Sequence, residues 1–359
     1  MSPRVVVVGG GYGGAATAKG LDEVADVVLV EPRDAFVHNI AALRGLVDPE
    51  WADRVFYPYK GLLSRGRWMR DRAQLVDPAG VTLASGERVD ADYIVLATGS
   101  NYPFPAKMDV DDSAAAKAKI QDAHAALLDA DRVLLLGAGP VGLELAGEIK
   151  AAWPGKAVTL VDPIEEIVPS YDAELGTELR RQLDELGIEL VLGTVLTEEP
   201  ASRPGEAKTF TVTTGSGREI TADIWFRCYG VAPVTGYLSE ELAAARQPDG
   251  YLEVTPELRL RGQEKVFAVG DVTAVPEPKR GGHAGQHAEV VVTNIKALIE
   301  GAGELATYQA APPIILLPLG PAGGVSQLPG AGVLGPETTA QYKGNDLFVG
   351  RYVEMFGLD

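Results

Sequence analysis

The sequence predicts an α/β fold of two nested Rossmann-like dinucleotide-binding units followed by a small C-terminal α+β domain. Three observations predict it. The chain opens on a strand, glycine turn, helix and strand; the same pattern returns from Gly137; and each unit later closes with an apolar strand that ends in glycine.

The first unit begins with the valine run 5–8 and the turn Gly9-Gly10-Gly11-Tyr12-Gly13-Gly14. An Ala-rich helix to about Leu21 and a second apolar strand, 27–30, come next. In such a turn Gly9 permits the tight bend, Gly11 lets backbone approach a pyrophosphate, and Gly14 lets helix and strand pack closely, with Gly10 and Gly13 completing the loop. Unpaired N–H groups and the helix dipole then favour the negative charge. Glycine turns also join strands to helices for packing alone. Glu31 separates the two readings, because it lies 22 positions after Gly9 at a strand end, where a carboxylate accepts ribose hydroxyls.

A helix over 114–128 leads into the second unit: strand 133–136, the turn Gly137-Ala138-Gly139-Pro140-Val141-Gly142, a helix over about 141–153 and strand 158–162. Gly137, Gly139 and Gly142 repeat the three glycine roles. Asp162 lies 25 positions after Gly137. A carboxylate there accepts a ribose 2′-hydroxyl and repels a 2′-phosphate, which favours NADH over NADPH; the alternative is a plain strand-terminal Asp before Pro163.

Residues 89–100 read as one buried strand ending in Thr98-Gly99, and residues 222–230 as its counterpart ending in Gly230. Thr98 and Gly99 are therefore expected beside the first dinucleotide and Gly230 beside the second. A short strand then ends in Gly270-Asp271, whose carboxylate suits ribityl hydroxyls of a flavin, and leads to a helix over about 285–300. From about Tyr308 the Pro- and Gly-rich tail offers strands at 314–317, 324–328 and 347–353. The expected organisation is a discontinuous FAD-binding domain (1–108 and 250–307), an NAD(P)H-binding domain (109–249) and a C-terminal domain (308–359). Two dinucleotide folds imply bound FAD reduced by a diffusing nicotinamide.

Composition narrows the classes. With 32 basic against 50 acidic residues and a net charge of −18, the chain repels phosphate backbones at long range, so no nucleic-acid partner is expected. A single cysteine, Cys228, forms no internal disulfide and rules out a dithiol mechanism. Four histidines and one cysteine show no ligand spacing, so no metal is expected. The apolar runs fall far short of the roughly 20 residues of a membrane span, and no secretory signal is read at the start. A soluble, cytoplasmic monomer or homodimer is expected.

The order of motifs resembles the class II pyridine-nucleotide-dependent flavoproteins. Four segments are similar to the ferroptosis-suppressor proteins of the apoptosis-inducing factor family: Phe36-Val37-His38-Asn39-Ile40-Ala41-Ala42-Leu43-Arg44, Ala97-Thr98-Gly99-Ser100 with Phe104-Pro105, Gly142 to Lys150, and Lys343 to Val349. The resemblance covers nearly the whole chain and implies an FAD enzyme that oxidises NAD(P)H and reduces a quinone. It places Gly9 to Gly14, Glu31, Arg44, Asp271 and the His287 segment around FAD, with Ala73 as a backbone candidate near adenine. It also places Glu144 and Lys343 beside the flavin ring as a catalytic pair. The alternative is a helix-start Glu favoured by the dipole and an exposed loop Lys. His283 and His287 are candidate proton donors, His283 reading more simply as a turn residue.

The departures bear on partners. The chain begins Met1-Ser2-Pro3, so no myristoyl anchor is expected, and residues 350–359 offer at most weak contact with a bilayer. It lacks the paired cysteines of the disulfide reductases, so electrons are expected to leave directly from flavin. Two alternatives to a quinone reductase stay open: a reductase of a ferredoxin or rubredoxin, whose acidity this chain's charge opposes, and an NADH-responsive redox-sensing binding protein.

Overall fold

The computed structural model describes residues 2–301, 303–310 and 312–358. A strand whose run Val5 to Val8 carries no polar side chain needs both faces covered. Arg4–Val8 accordingly lies at the centre of a five-stranded parallel sheet, with Val5 to Val8 buried. Tyr93–Leu96 and then Val266–Ala268 flank it on one side, Asp26–Val30 and then Arg67–Met69 on the other. The strand at Val266–Ala268 thus completes the first sheet after the chain has passed through a second one.

That second sheet is also parallel, in the order Ile188–Leu192, Ala157–Asp162, Arg132–Leu136, Ile224–Arg227. The two connections between the sheets run side by side, Ser100–Asn101 pairing antiparallel with Ala232–Pro233. The helix Tyr12–Leu21 packs on the helix Gly281–Glu300. Small residues permit that approach: a Cβ on Gly20 would stand 2.8 Å from a Val292 methyl.

Four sequence expectations are corrected. Residues 89–100 are not one strand. Arg88–Asp90 belongs to a small antiparallel sheet with Ala73–Asp77 and Gly80–Leu83, and the parallel strand starts only at Tyr93, after the Ala91-Asp92 break. The counterpart breaks in the same way: Glu219–Ala222 pairs with Phe210–Thr213, and Asp223 turns the chain into the parallel sheet while binding the Arg132 guanidinium at 2.7 Å. The late helix starts at Gly281, four residues before the expected 285, because the Gly281-Gly282 pair hides a helix start.

The tail differs as well. Strands Ile315–Leu319 and Gly323–Leu328 form, joined by Gly332–Leu334, but the expected strand at 347–353 is the helix Val349–Met355. Its apolar residues Val349, Tyr352, Val353 and Phe356 keep the helical spacing of three and four. Tyr352 stacks on Phe36 at 5.3 Å between ring centroids and Phe356 packs tilted against it at 5.0 Å, which fixes the tail to the first unit. Among the described residues no helix is long and apolar enough to cross a membrane.

Candidate active site

A single cleft of about 1050 Å³ touches the C-terminal ends of strands from both parallel sheets. Open α/β sheets bind ligands at this position because loops diverge there and helix N-termini face inward.

The first glycine turn forms one wall. Gly9 adopts φ +102°, and a Cβ on Gly14 would stand 1.8 Å from the Gly9 carbonyl oxygen. A Cβ on Gly11 would meet nothing within 4 Å, so this backbone faces open space. Glu31 is buried beside it; its Oε2 accepts the Gly10 N–H at 2.7 Å and its Oε1 the Arg33 N–H at 3.0 Å.

The second turn repeats the arrangement. Gly137 has φ +110°, a Cβ on Gly142 would stand 1.9 Å from its carbonyl oxygen, and Gly139 faces open space. Asp162 Oδ2 accepts the Ala138 N–H at 2.7 Å and Oδ1 the Ile164 N–H at 2.9 Å. Both carboxylates are fixed by backbone donors at the cleft edge.

Other expected residues meet here. Ala73, Thr98, Gly99 and Asp271 line the cleft, and the Thr98 hydroxyl donates to the Val234 carbonyl at 2.7 Å. Glu144 and Lys343, 199 positions apart, form an ion pair at 2.7 Å in the wall, and Lys343 Nζ also donates to the Leu316 carbonyl at 3.2 Å. Lys343 is 11% exposed, so it is no solvated loop side chain.

Three expected residues, Arg44, His287 and Gly230, fall elsewhere, and His283 lines the cleft. Arg44 does not line the cleft: its guanidinium is buried, grips the Glu148 carboxylate at 2.7 to 3.1 Å, bonds the Asn345 carbonyl at 3.2 Å and lies over the Trp51 ring. A charge on an otherwise apolar helix face pairs with the nearest buried carboxylate, which belongs to the other unit. His287 sits one layer behind the cleft, where its Nδ1 accepts the Gly270 N–H at 3.0 Å and so holds the turn that carries Asp271. Its ring is neutral, because burial lowers it to about 4 against the pull of Glu277. Gly230, at φ +99°, turns the chain behind Tyr102 and Val231, which do line the cleft. The proton-donor expectation for His283 meets a cleft-lining ring in the first turn of its helix, Nδ1 at 2.7 Å from the Pro278 carbonyl.

Sequence reasoning missed Lys107 and Tyr12. Lys107 Nζ donates to Asp271 Oδ2 at 3.2 Å and to Ser100 Oγ at 2.7 Å, while Ser100 Oγ donates to Asp271 at 2.6 Å. Burial lowers the Lys107 ammonium, opposed by Asp271. The Tyr12 hydroxyl accepts the Ile40 N–H at 3.1 Å and contacts His38 Nδ1 at 3.1 Å, while His38 Nε2 donates to the Leu347 carbonyl at 2.7 Å. Burial holds His38 neutral, at about 4. The only sequence signal for Lys107 was a lone charge after Phe104-Pro105-Ala106. Cys228 is fully packed, and burial pushes its thiol up to about 12.

The cleft suits dinucleotides on three counts. Both turns present open backbone where a phosphate approaches. Asn39 Oδ1 and Arg33 Nε, in residues of the lining, are buried without a partner. Arg33, Arg72, Lys107, Lys279, Arg280 and Lys343 gather here in a strongly acidic chain.

Two dinucleotide turns on nested parallel sheets, opening on one cleft, define a two-dinucleotide flavoprotein oxidoreductase. A family model described as pyridine nucleotide-disulphide oxidoreductase matches residues 3–290. The chain is 35% identical over 366 residues to Ferroptosis suppressor protein 1 of Taeniopygia guttata, covering 99% of this chain and 96% of that one. It is 28% identical to Apoptosis-inducing factor homolog B of Dictyostelium discoideum, over 98% of this chain and 96% of that one. The sulfide:quinone oxidoreductase of Aquifex aeolicus shares the fold at a TM-score of 0.76 and 19% identity, over 99% of this chain and 91% of that one. The chain belongs to the pyridine nucleotide-disulphide oxidoreductase family, in its ferroptosis-suppressor and apoptosis-inducing-factor branch, and is a flavin-dependent NAD(P)H oxidoreductase.

Proposed function

We propose that this enzyme takes hydride from NADH and passes two electrons to a quinone-type acceptor, with residues 1–108 and 250–307 holding FAD and residues 109–249 holding NADH. The observation that carries the reading is the Glu144–Lys343 pair, 2.7 Å apart in the wall of a cleft that both glycine turns share. Bound FAD supplies the hydride acceptor and the two-electron donor.

The chain's own groups do the rest. Gly9 to Gly14, Glu31, Thr98, Gly99, Ala73 and Asp271 would hold FAD; Gly137, Gly139, Gly142 and Asp162 would hold NADH. Asp162 favours ribose hydroxyls and repels a 2′-phosphate, and the lining beyond it continues with Ile164 and Glu166 rather than an arginine. Lys343 holds a positive charge and a proton where negative charge develops on an acceptor oxygen, and Glu144 keeps its Nζ in place. Val37, Ile40, Leu43, Ile315, Leu316 and Phe348 give that part of the wall an apolar character that suits a quinone ring. The acceptor class itself rests on the family branch.

The test is anaerobic. NADH should bleach the flavin absorbance, and menadione should restore it within the mixing experiment. NADPH should bleach it at least tenfold more slowly at equal concentration, and Asp162→Ala should narrow that ratio. Turnover should respond little to ionic strength, unlike docking to an acidic protein carrier. Flavin that stays reduced after menadione is added overturns the acceptor.

A further inference from the structure

Residues 163–172 join the strand Ala157–Asp162 to the helix Ala173–Glu185 and run along the cleft, to which Ile164, Glu166, Val168, Pro169, Ser170 and Tyr171 contribute. Both ends are tied. Ile164 N–H donates to Asp162 and its carbonyl accepts the Gly193 N–H at 3.3 Å; at the far end Asp172 N–H donates to Gln327 Oε1 at 2.9 Å. The middle is not relaxed. Val168 adopts φ +46°, a left-handed conformation that a β-branched residue avoids. It is nonetheless buried, inside a turn closed by Tyr171 N–H on its carbonyl at 3.1 Å.

Something must hold this strained strap down, and one contact reaches across to do it. Arg280, the residue that precedes the helix Gly281–Glu300, donates through Nη2 to the Tyr171 hydroxyl and through Nη1 to the Ile314 carbonyl, and its guanidinium lies 5.5 Å from the Tyr171 ring centroid. The strap comes directly after the carboxylate of the second unit; Arg280 leads into a helix packed on the first; Ile314 precedes the C-terminal sheet. One guanidinium therefore joins all three segments at the cleft.

We infer that Tyr171 and Arg280 form a latch that holds the strap 163–172 over the nicotinamide dinucleotide and sets the rate at which it leaves. The inference rests on the reading that this dinucleotide binds against Gly137 and Asp162. When the latch parts, the strain at Val168 is released, so opening is favoured by the conformation the closed strap imposes. Tyr171 is thus a positioning residue: it acts through the strap and takes no part in hydride transfer.

The test uses the FAD-loaded full chain and NAD⁺, whose release involves no acceptor and no net chemistry. Tyr171→Phe keeps the ring over the guanidinium and removes the hydroxyl. NAD⁺ should dissociate about tenfold faster, the factor carried by one hydrogen bond to a charged group, with the association rate changed less than about threefold. Amide hydrogen exchange over 163–172 should accelerate in the variant and slow when NAD⁺ binds the wild type, a readout independent of turnover. Unchanged dissociation and unchanged exchange in Tyr171→Phe overturn the latch while leaving the proposed function intact. Failure of the wild type to bind NAD⁺ at all overturns both.

Discussion

Replacing Arg44 with methionine tests whether its charge serves the packing between the two units rather than a ligand. Three contacts to Glu148 and one to the Asn345 carbonyl disappear, leaving the Glu148 side chain, 5% exposed, with no bonded cation. Removing one partner of a buried pair costs about 3–5 kcal/mol, because the other charge stays buried and uncompensated. Methionine keeps the stem against Trp51, so little of that cost comes from lost packing.

The dependence on pH identifies the cause. Burial already raises the Glu148 carboxyl above its ordinary value, against the opposing pull of Arg44. Without Arg44 it rises further, so the folded variant holds a proton more firmly than the unfolded chain does. Stability is then regained as pH falls from the folded-state value toward the unfolded one, and the penalty should be smaller at pH 5.5 than at pH 7.5. Urea unfolding of both proteins at both pH values measures this, and Arg44→Met with Glu148→Leu should recover most of the loss, since an apolar pair has no charge to strand. A single variant within about 1 kcal/mol of wild type at pH 7.5, or a penalty that grows on acidification, refutes the reasoning.

The same geometry has other consequences. His38 and His287 are each held near 4 by burial, below the unfolded 6.5, so the unfolded chain binds more protons between those values; the stability they contribute is complete above pH 6.5 and is lost as pH falls toward 4, which thermal midpoints across that window measure. Gly142→Ala places a methyl against the Gly137 carbonyl oxygen and should weaken NAD⁺ binding at least tenfold in calorimetry while FAD content holds, whereas Gly14→Ala should strip FAD instead. Cys228, buried and with its thiol raised to about 12, stays protonated at pH 8, so iodoacetamide should leave the native protein unlabelled and Cys228→Ser should turn over normally.

What could be read from the sequence was what is local. Gly9 and Gly14, or Gly137 and Gly142, lie within one turn, and the close approach that excludes a Cβ is fixed by their spacing. Glu31 and Asp162 were readable because a strand end is a definite place. The direction of Arg44 was not: its partner lies 104 positions away on another unit's helix, and nothing near Arg44 encodes which face it presents. Lys107 was missed for the same reason, since Asp271 is 164 positions distant. The tail helix was misread because 347–353 is as apolar as a strand, and the spacing that reveals a helix becomes plain only when Phe356 is counted with Tyr352.

The two carboxylates also explain how similar turns could serve different ligands. Glu31 and Asp162 make the same two bonds, to the second residue of the glycine turn and to the residue two places after themselves. The difference lies in the side chains that each strand end delivers to the cleft. After Glu31 the chain brings in Arg33 with a buried Nε still unpartnered, while Arg72 lines the same cavity. After Asp162 it brings Ile164 and Glu166, and then the strap that Arg280 latches. Under the proposed assignment, the spare Arg33 Nε–H beside the first turn favours a dinucleotide that stays. Under the same assignment, acidic and apolar side chains beside the second, under a segment with strain to release, favour one that is exchanged at every turnover.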